Sequence, residues 1–396
     1  MASVKIFRVA QFKITISNEV VSACQNSLLA WIVVKIVQSL TGLAVGPESI
    51  LVRTQYSFYY HGLFPLTAGW QGILFGIWQR WDGIYYQIIA EKAYSADYLS
   101  VFFPLYPLLG RWISALTGLS ALVALLLVSN LMFIGLLVLL NLLANDLLGK
   151  EVGRRTVFGA VVFPTAFFFS AAYPQSLALF LILLSYYSFR KKHWAVSAFA
   201  AFLAGLTHST VFPLALLLAV EVFQVFRHYN KFQRVTLGFI PFLPLLGTAL
   251  FMTWRIRYGY PNYQQLEMSG WGVGFMTPWK FVDSLVTYTT AYGNNLIYWI
   301  SIAMFILACI VTVWSFRKLP LSVSVFQLST LIFITLTGIL TKPLSSISRF
   351  VLIMFPIFFF IGFQMQKKLI RLVVIEFCVI LQILLTIFFF QWGFVG

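Results

Sequence analysis

Apolar residues come in blocks of about 15 to 25, and the blocks are divided by short polar or basic interruptions. They fall near 20–44, 119–144, 156–171, 176–189, 194–207, 210–226, 235–254, 294–315, 321–341, 350–366 and 372–391. A helix needs about 20 residues at 1.5 Å each to cross a hydrocarbon core of about 30 Å, so the pattern predicts a polytopic bundle of about 11 transmembrane helices. Several central blocks are short for that task, which predicts local bilayer thinning or paired hairpins. Two long stretches break the rhythm, 45–118 and 255–293. The first contains LTAGWQGILFGIWQRW, read as an interfacial helix whose polar end delivers Asp82 to the membrane surface.

Lysine and arginine set the expected orientation. With the segment 1–19 inside and an odd number of crossings, 17 of the 27 basic residues fall in the short inside loops, among them Lys5, Arg8, Lys13, Lys150, Arg190 and Lys367. Nine fall outside, including Arg53, Arg80 and Arg349, and Lys35 alone lies within a span. Both long loops and the turns around Tyr173, His208 and 342–349 then share the extracytoplasmic face. The N-terminal segment lacks the early apolar core of a cleaved signal and reads as a retained cytoplasmic piece.

Composition agrees with one integral membrane domain over 1–396. Hydrophobic residues make up 60% of the chain and charged residues only 10%, well below the roughly 25% expected of a soluble domain. A net charge of +16 would suggest nucleic acid in a soluble protein. Here the basic residues are scattered through loops, so no nucleic-acid partner is expected. Cys24, Cys309 and Cys378 stand apart with no metal-ligand spacing, and neither disulfides nor zinc are expected. No nucleotide-binding or Gly-rich phosphate loop is present.

Acids are scarce enough to weigh singly. On the expected outer face lie only Glu48, Asp82, Glu91, Asp97, Glu267 and Asp283. Asp82 is the best-placed candidate base, set among Trp81, Tyr85 and Tyr86, because a carboxylate in poorly hydrated surroundings must find a partner or change its protonation. An alternative is that Asp82 simply caps the following helix. Arg349 follows three serines and precedes a long apolar run, where its fork suits a phosphate, or else snorkels to headgroups. His208 could neutralise a leaving phosphate or merely sit solvated in its turn. Trp81, Tyr85, Tyr86, Tyr106, Tyr173, Gln175, Gln264 and Trp271 offer rings and amides suited to a sugar, although an interfacial aromatic belt is the commoner use of such rings. Asp82, Glu91 and Asp97 could together hold a divalent cation through oxygen ligands.

The run Arg80-Trp81-Asp82-Gly83, continuing through Tyr86, Ile89-Ala90 and Tyr94 to FFPLYPLL, resembles the first lumenal loop of the PIG-V family, polytopic mannosyltransferases of the GT-C class. Weaker echoes are Phe163-Pro164 with Tyr173, Ala204 to His208, Trp271 with Pro278-Trp279, and Ser348-Arg349-Phe350 with Pro356. The compact length is like that of the family's bacterial members. The resemblance implies an inverting hexosyltransferase, with mannose as the family's sugar, using a polyprenyl-phosphate sugar donor and a lipid or glycan acceptor at the extracytoplasmic side of a bacterial plasma membrane. This chain departs from the pattern at Gln175, where the family carries Glu, near His208, where it carries Arg, and at Ala93, where it carries Gly. A flippase or transporter for lipid or sugar is the main alternative, and a structural membrane subunit the other.

Overall fold

The computed structural model describes residues 18–45, 61–63, 65–66, 69–293 and 295–395. Glu48, Arg53 and the basic residues Lys5, Arg8 and Lys13 lie outside the described residues. The fold is that of an all-α membrane protein. Six described helices are long and apolar enough to cross a membrane, the longest being Asn18–Val45 and Ala121–Leu148, and a seventh is counted if a bent pair forms one span. Two shorter apolar helices, Trp194–Gly205 and Leu321–Leu336, fall at further expected spans, so length and composition give six or seven crossings among the described residues and not the expected 11.

Departures from a simple row of helices occur where the backbone finds other partners. The expected span 156–171 stops being α-helical at Val162, and the chain continues through a 3-10 turn at Ala166–Phe169 to Tyr173. Every residue from Phe163 to Tyr173 is buried, so protein shields the non-helical backbone there. Gln382, in the Lys368–Phe390 helix, donates from Nε2 to the carbonyls of Val161 and Phe163, both at 2.9 Å, and so satisfies groups that the interrupted helix leaves open. The expected span 350–366 is bent by 85° between Ile347–Ile353 and Pro356–Gln364, where Pro356 cannot continue the hydrogen-bond ladder. The expected span 321–341 ends as helix at Leu336. Thr337–Ile339 then forms one strand of an antiparallel ribbon with Val273–Phe275, so the second long loop is stitched to the end of a span.

The two ends of the bundle differ in chemistry. At one end Asp146 accepts from Arg190 at 2.9 Å and from Lys191 at 3.1 Å, joining the ends of Ala121–Leu148 and Gln175–Arg190. At the other end the first long loop folds into helices Gly69–Leu74, Asp82–Lys92 and Leu105–Thr117. The single interfacial helix expected before Asp82 is instead two short pieces, Gly69–Leu74 and a 3-10 turn at Gly76–Trp78. Arg80 explains the break. It is fully buried, donates to the carbonyls of Phe390, Gly76 and Gln79 at 3.0 Å each, and lies 4.7 Å from the Trp392 ring. A guanidinium fed into that socket pulls the chain out of helical geometry just ahead of Asp82.

Candidate functional site

Asp82 is the first residue of its helix, and the residue before it is strained. Trp81 has φ +51° and ψ −129°, a conformation that costs a bulky residue of order 1–3 kcal/mol unless its surroundings enforce it. They do so here: the Trp81 ring packs edge-on against Trp392 and Phe394, and its Nε1 donates to the Gly393 carbonyl at 3.3 Å. The capping position ahead of this helix belongs to Trp81, which makes no side-chain capping bond, so Asp82 is not the cap. It accepts instead from Arg349, 267 residues away, through Oδ2 and Nη1.

Arg349 is held as tightly. It is 8% exposed, its guanidinium lies 5.6 Å from the Tyr173 ring and 4.9 Å from Phe350, and its Nε has no hydrogen-bond partner among the described residues. Neighbouring Ser348 is pinned by Thr165, whose hydroxyl donates to its carbonyl at 2.7 Å, while its own hydroxyl donates to the Val395 carbonyl. Beneath the pair, the buried Tyr173 hydroxyl donates to the Arg80 carbonyl at 3.4 Å. Burial, and then the Asp82 charge, push the hydroxyls of Tyr173 and Tyr86 well above the ordinary phenol range, so both stay protonated.

The ion pair faces a cavity of about 710 Å³, within the range of small-molecule sites. One wall is aromatic: Tyr85, Phe102 and Trp271 meet with ring centroids 5.1 to 6.1 Å apart. A second wall is apolar, with Phe333, Ile334, Ile339, Leu344 and Phe350. His208 and Arg349 line the same cavity. The His208 ring stacks on Phe103 at 6.4 Å, and its Nδ1 accepts from the Thr210 backbone N–H at 3.1 Å. Burial, and then the nearby Arg349 charge, push its pKa down to about 3. The imidazole is therefore neutral with its proton on Nε2, since Nδ1 must accept from a backbone donor.

No protein-family model matches the chain, and no curated protein matches it. What the site can do is therefore argued from its own atoms. Of the residues singled out in the sequence, Asp82, Trp81, Tyr85, Tyr86, His208, Gln264, Trp271 and Arg349 all line the one cavity. Tyr173 sits just behind Arg349. Two others lie elsewhere. Tyr106 is fully buried, with its hydroxyl engaged by Ser129 at 2.7 Å and the Leu125 carbonyl at 3.0 Å. Gln175 is buried at the start of its helix and does not reach the cavity, and its side-chain oxygen has no partner among the described residues.

The three carboxylates that could together have held a divalent cation do not come together. Asp82 opens its helix and Glu91 lies near the far end, about 13 Å along the axis. Glu91 and Asp97 are exposed, and Glu91 accepts from Gln87 at 2.8 Å. Among the described residues no group of three His, Cys, Asp or Glu side chains is placed to hold a metal ion.

Sequence reasoning passed over two parts of the site. One is Glu267, present only as one of the outer acids, although Tyr263, Gln264 and Trp271 at helical spacing around it were a usable signal. The other is the segment carrying Trp392 and Phe394, which also lines the cavity. Nothing in its composition separates it from the apolar helix it follows.

Proposed function

We propose that the chain is a membrane glycosyltransferase that moves a hexose, mannose by the family resemblance, from a polyprenyl-phosphate donor to an acceptor hydroxyl. The observation that carries this reading is the Asp82–Arg349 pair, which joins a carboxylate and a phosphate-suited guanidinium at one cavity with one polar-aromatic and one apolar wall. In this reading the chain crosses the membrane eleven times, and the cavity opens on the extracytoplasmic side of a bacterial plasma membrane.

The donor phosphate takes Arg349, with the Nε2–H of His208 as a second donor, and the isoprenoid lies along Phe333, Ile334 and Leu344. Asp82, freed from Arg349, receives the proton of the acceptor hydroxyl as that oxygen bonds to the anomeric carbon. The carbon–oxygen bond to phosphate breaks with its electron pair, and the polyprenyl phosphate leaves with its charge on Arg349. One carboxylate suffices for a single displacement, which inverts the anomeric centre. Tyr85, Phe102 and Trp271 exclude water from the sugar.

Purified protein incubated with labelled polyprenyl-phosphate mannose and a lipid extract tests the reading. A new glycosidic bond that disappears in Asp82→Asn supports it. Movement of donor across vesicles without a bond would assign a flippase, and full transfer by Asp82→Asn would remove Asp82 from the base role.

A further inference from the structure

The second long loop delivers a carboxylate to the cavity that the transfer reaction described above does not use. Glu267 lies on the Tyr263–Trp271 helix, whose Tyr263, Gln264, Glu267 and Trp271 all face the cavity that holds Asp82. Asn262 starts this helix by accepting from the backbone N–H groups of Gln264 and Gln265 at 2.9 and 3.2 Å. Arg255 then fixes it to the first long loop. Its guanidinium donates to the Ser100 carbonyl at 2.7 Å and the Pro261 carbonyl at 2.9 Å, and lies 5.1 Å from the Tyr263 ring. The ribbon Val273–Phe275 ties down the other end of the helix. Glu267 is thus a positioned group, on a helix held at both ends. Burial raises its carboxyl above the ordinary range, and the Asp82 charge adds to the effect.

We propose that the face made by Gln264, Glu267 and Trp271 is the acceptor subsite, which binds a hydroxyl-rich head group bearing no negative charge where it meets the helix. The proposal rests on the transferase reading and adds the side on which the acceptor lies and the charge it must lack. Once a donor phosphate takes Arg349, the acceptor end of the cavity is left with two acids, Asp82 and Glu267, against one cation, Arg255, whose guanidinium is already engaged by the Ser100 and Pro261 carbonyls. A carboxylate accepts readily from sugar hydroxyls, an amide does both, and an indole covers an apolar sugar face. An anionic head group there would meet like charge at a few ångströms, which at the effective dielectric of a partly hydrated site disfavours it roughly a hundredfold.

Saturation-transfer NMR on the full chain in zwitterionic nanodiscs tests this apart from turnover, with methyl α-mannoside and methyl glucuronide as probes. The neutral sugar should receive transfer in the wild type, and its affinity should fall at least tenfold in Glu267→Gln and in Trp271→Ala. The preference for mannoside over glucuronide should shrink at least tenfold in Glu267→Gln. Gln265→Ala alters an exposed side chain on the same helix that does not line the cavity, so it should bind the neutral sugar within about threefold of wild type. Unchanged mannoside binding in Glu267→Gln overturns the proposal, as does a Gln265→Ala loss equal to that of Glu267→Gln, which would mark a merely structural role. Intact Glu267-dependent sugar binding without any transfer would overturn the transferase reading and leave the subsite standing.

Discussion

Replacing Asp82 by Asn should make the cavity bind a phosphate more tightly while ending transfer. Asp82 occupies the place on Arg349 that an incoming phosphate needs, and the Arg349 side chain is only 10% exposed against 23% for Asp82. Two unit charges about 4 Å apart interact by about 4 kcal/mol at an effective dielectric of 20. Solvent reaching Asp82 and the hydrogen bond that Asn can still accept reduce the difference, leaving roughly 1.5 to 3 kcal/mol, the range of a charged hydrogen bond. That converts to about 10- to 100-fold tighter binding. The assay is calorimetric titration of polyprenyl phosphate into the protein in neutral nanodiscs, with Arg349→Gln as the variant that should lose binding. Equal or weaker binding by Asp82→Asn would refute the idea that the acid and the anion compete for one guanidinium.

Three further outcomes follow from named contacts. Ala93 ends the Asp82–Lys92 helix at φ +57°, where an L side chain is strained, so Ala93→Gly should stabilise the protein by about 1 kcal/mol in thermal denaturation. His208 has its pKa depressed from 6.5 to about 3. Its neutral form therefore contributes stability that is complete above pH 6.5 and lost as pH falls toward 3. The loss should reach at most about 2 kcal/mol at pH 5, and His208→Asn should flatten that part of a melting-temperature profile against pH. Gly205→Ala should fail to fold or melt far lower, because its new methyl would sit 2.0 Å from the Pro244 carbonyl oxygen where Trp194–Gly205 crosses Leu243–Arg257; wild-type melting would show that the crossing can relax.

Asp82 and Arg349 could each be picked out from sequence, because a charged group beside a long apolar run is costly and therefore informative. Their contact could not, since nothing local measures a separation of 267 positions. Glu91 and Asp97 looked like companions of Asp82 by proximity in the chain, yet a helix carries Glu91 to its far end and both are exposed. Tyr106 had the same composition cue as Tyr85 and Tyr86. Only packing turned it inward to Ser129. Ala93 is the reverse case: its departure from Gly in the resembling pattern falls where the backbone takes a positive φ.

Hydrophobic blocks alone determined that this chain is helical and membrane-embedded, because in hydrocarbon every backbone polar group must be satisfied within its own segment or by protein around it. The tertiary structure decided where that rule is met by other means: Gln382 closing the carbonyls at Val161 and Phe163, the ribbon at Val273–Phe275, and Arg80 turning the chain before Asp82. Those exceptions surround the acid and Arg349, and they depend on partners from about 60 to more than 300 residues away, which no short stretch of sequence contains.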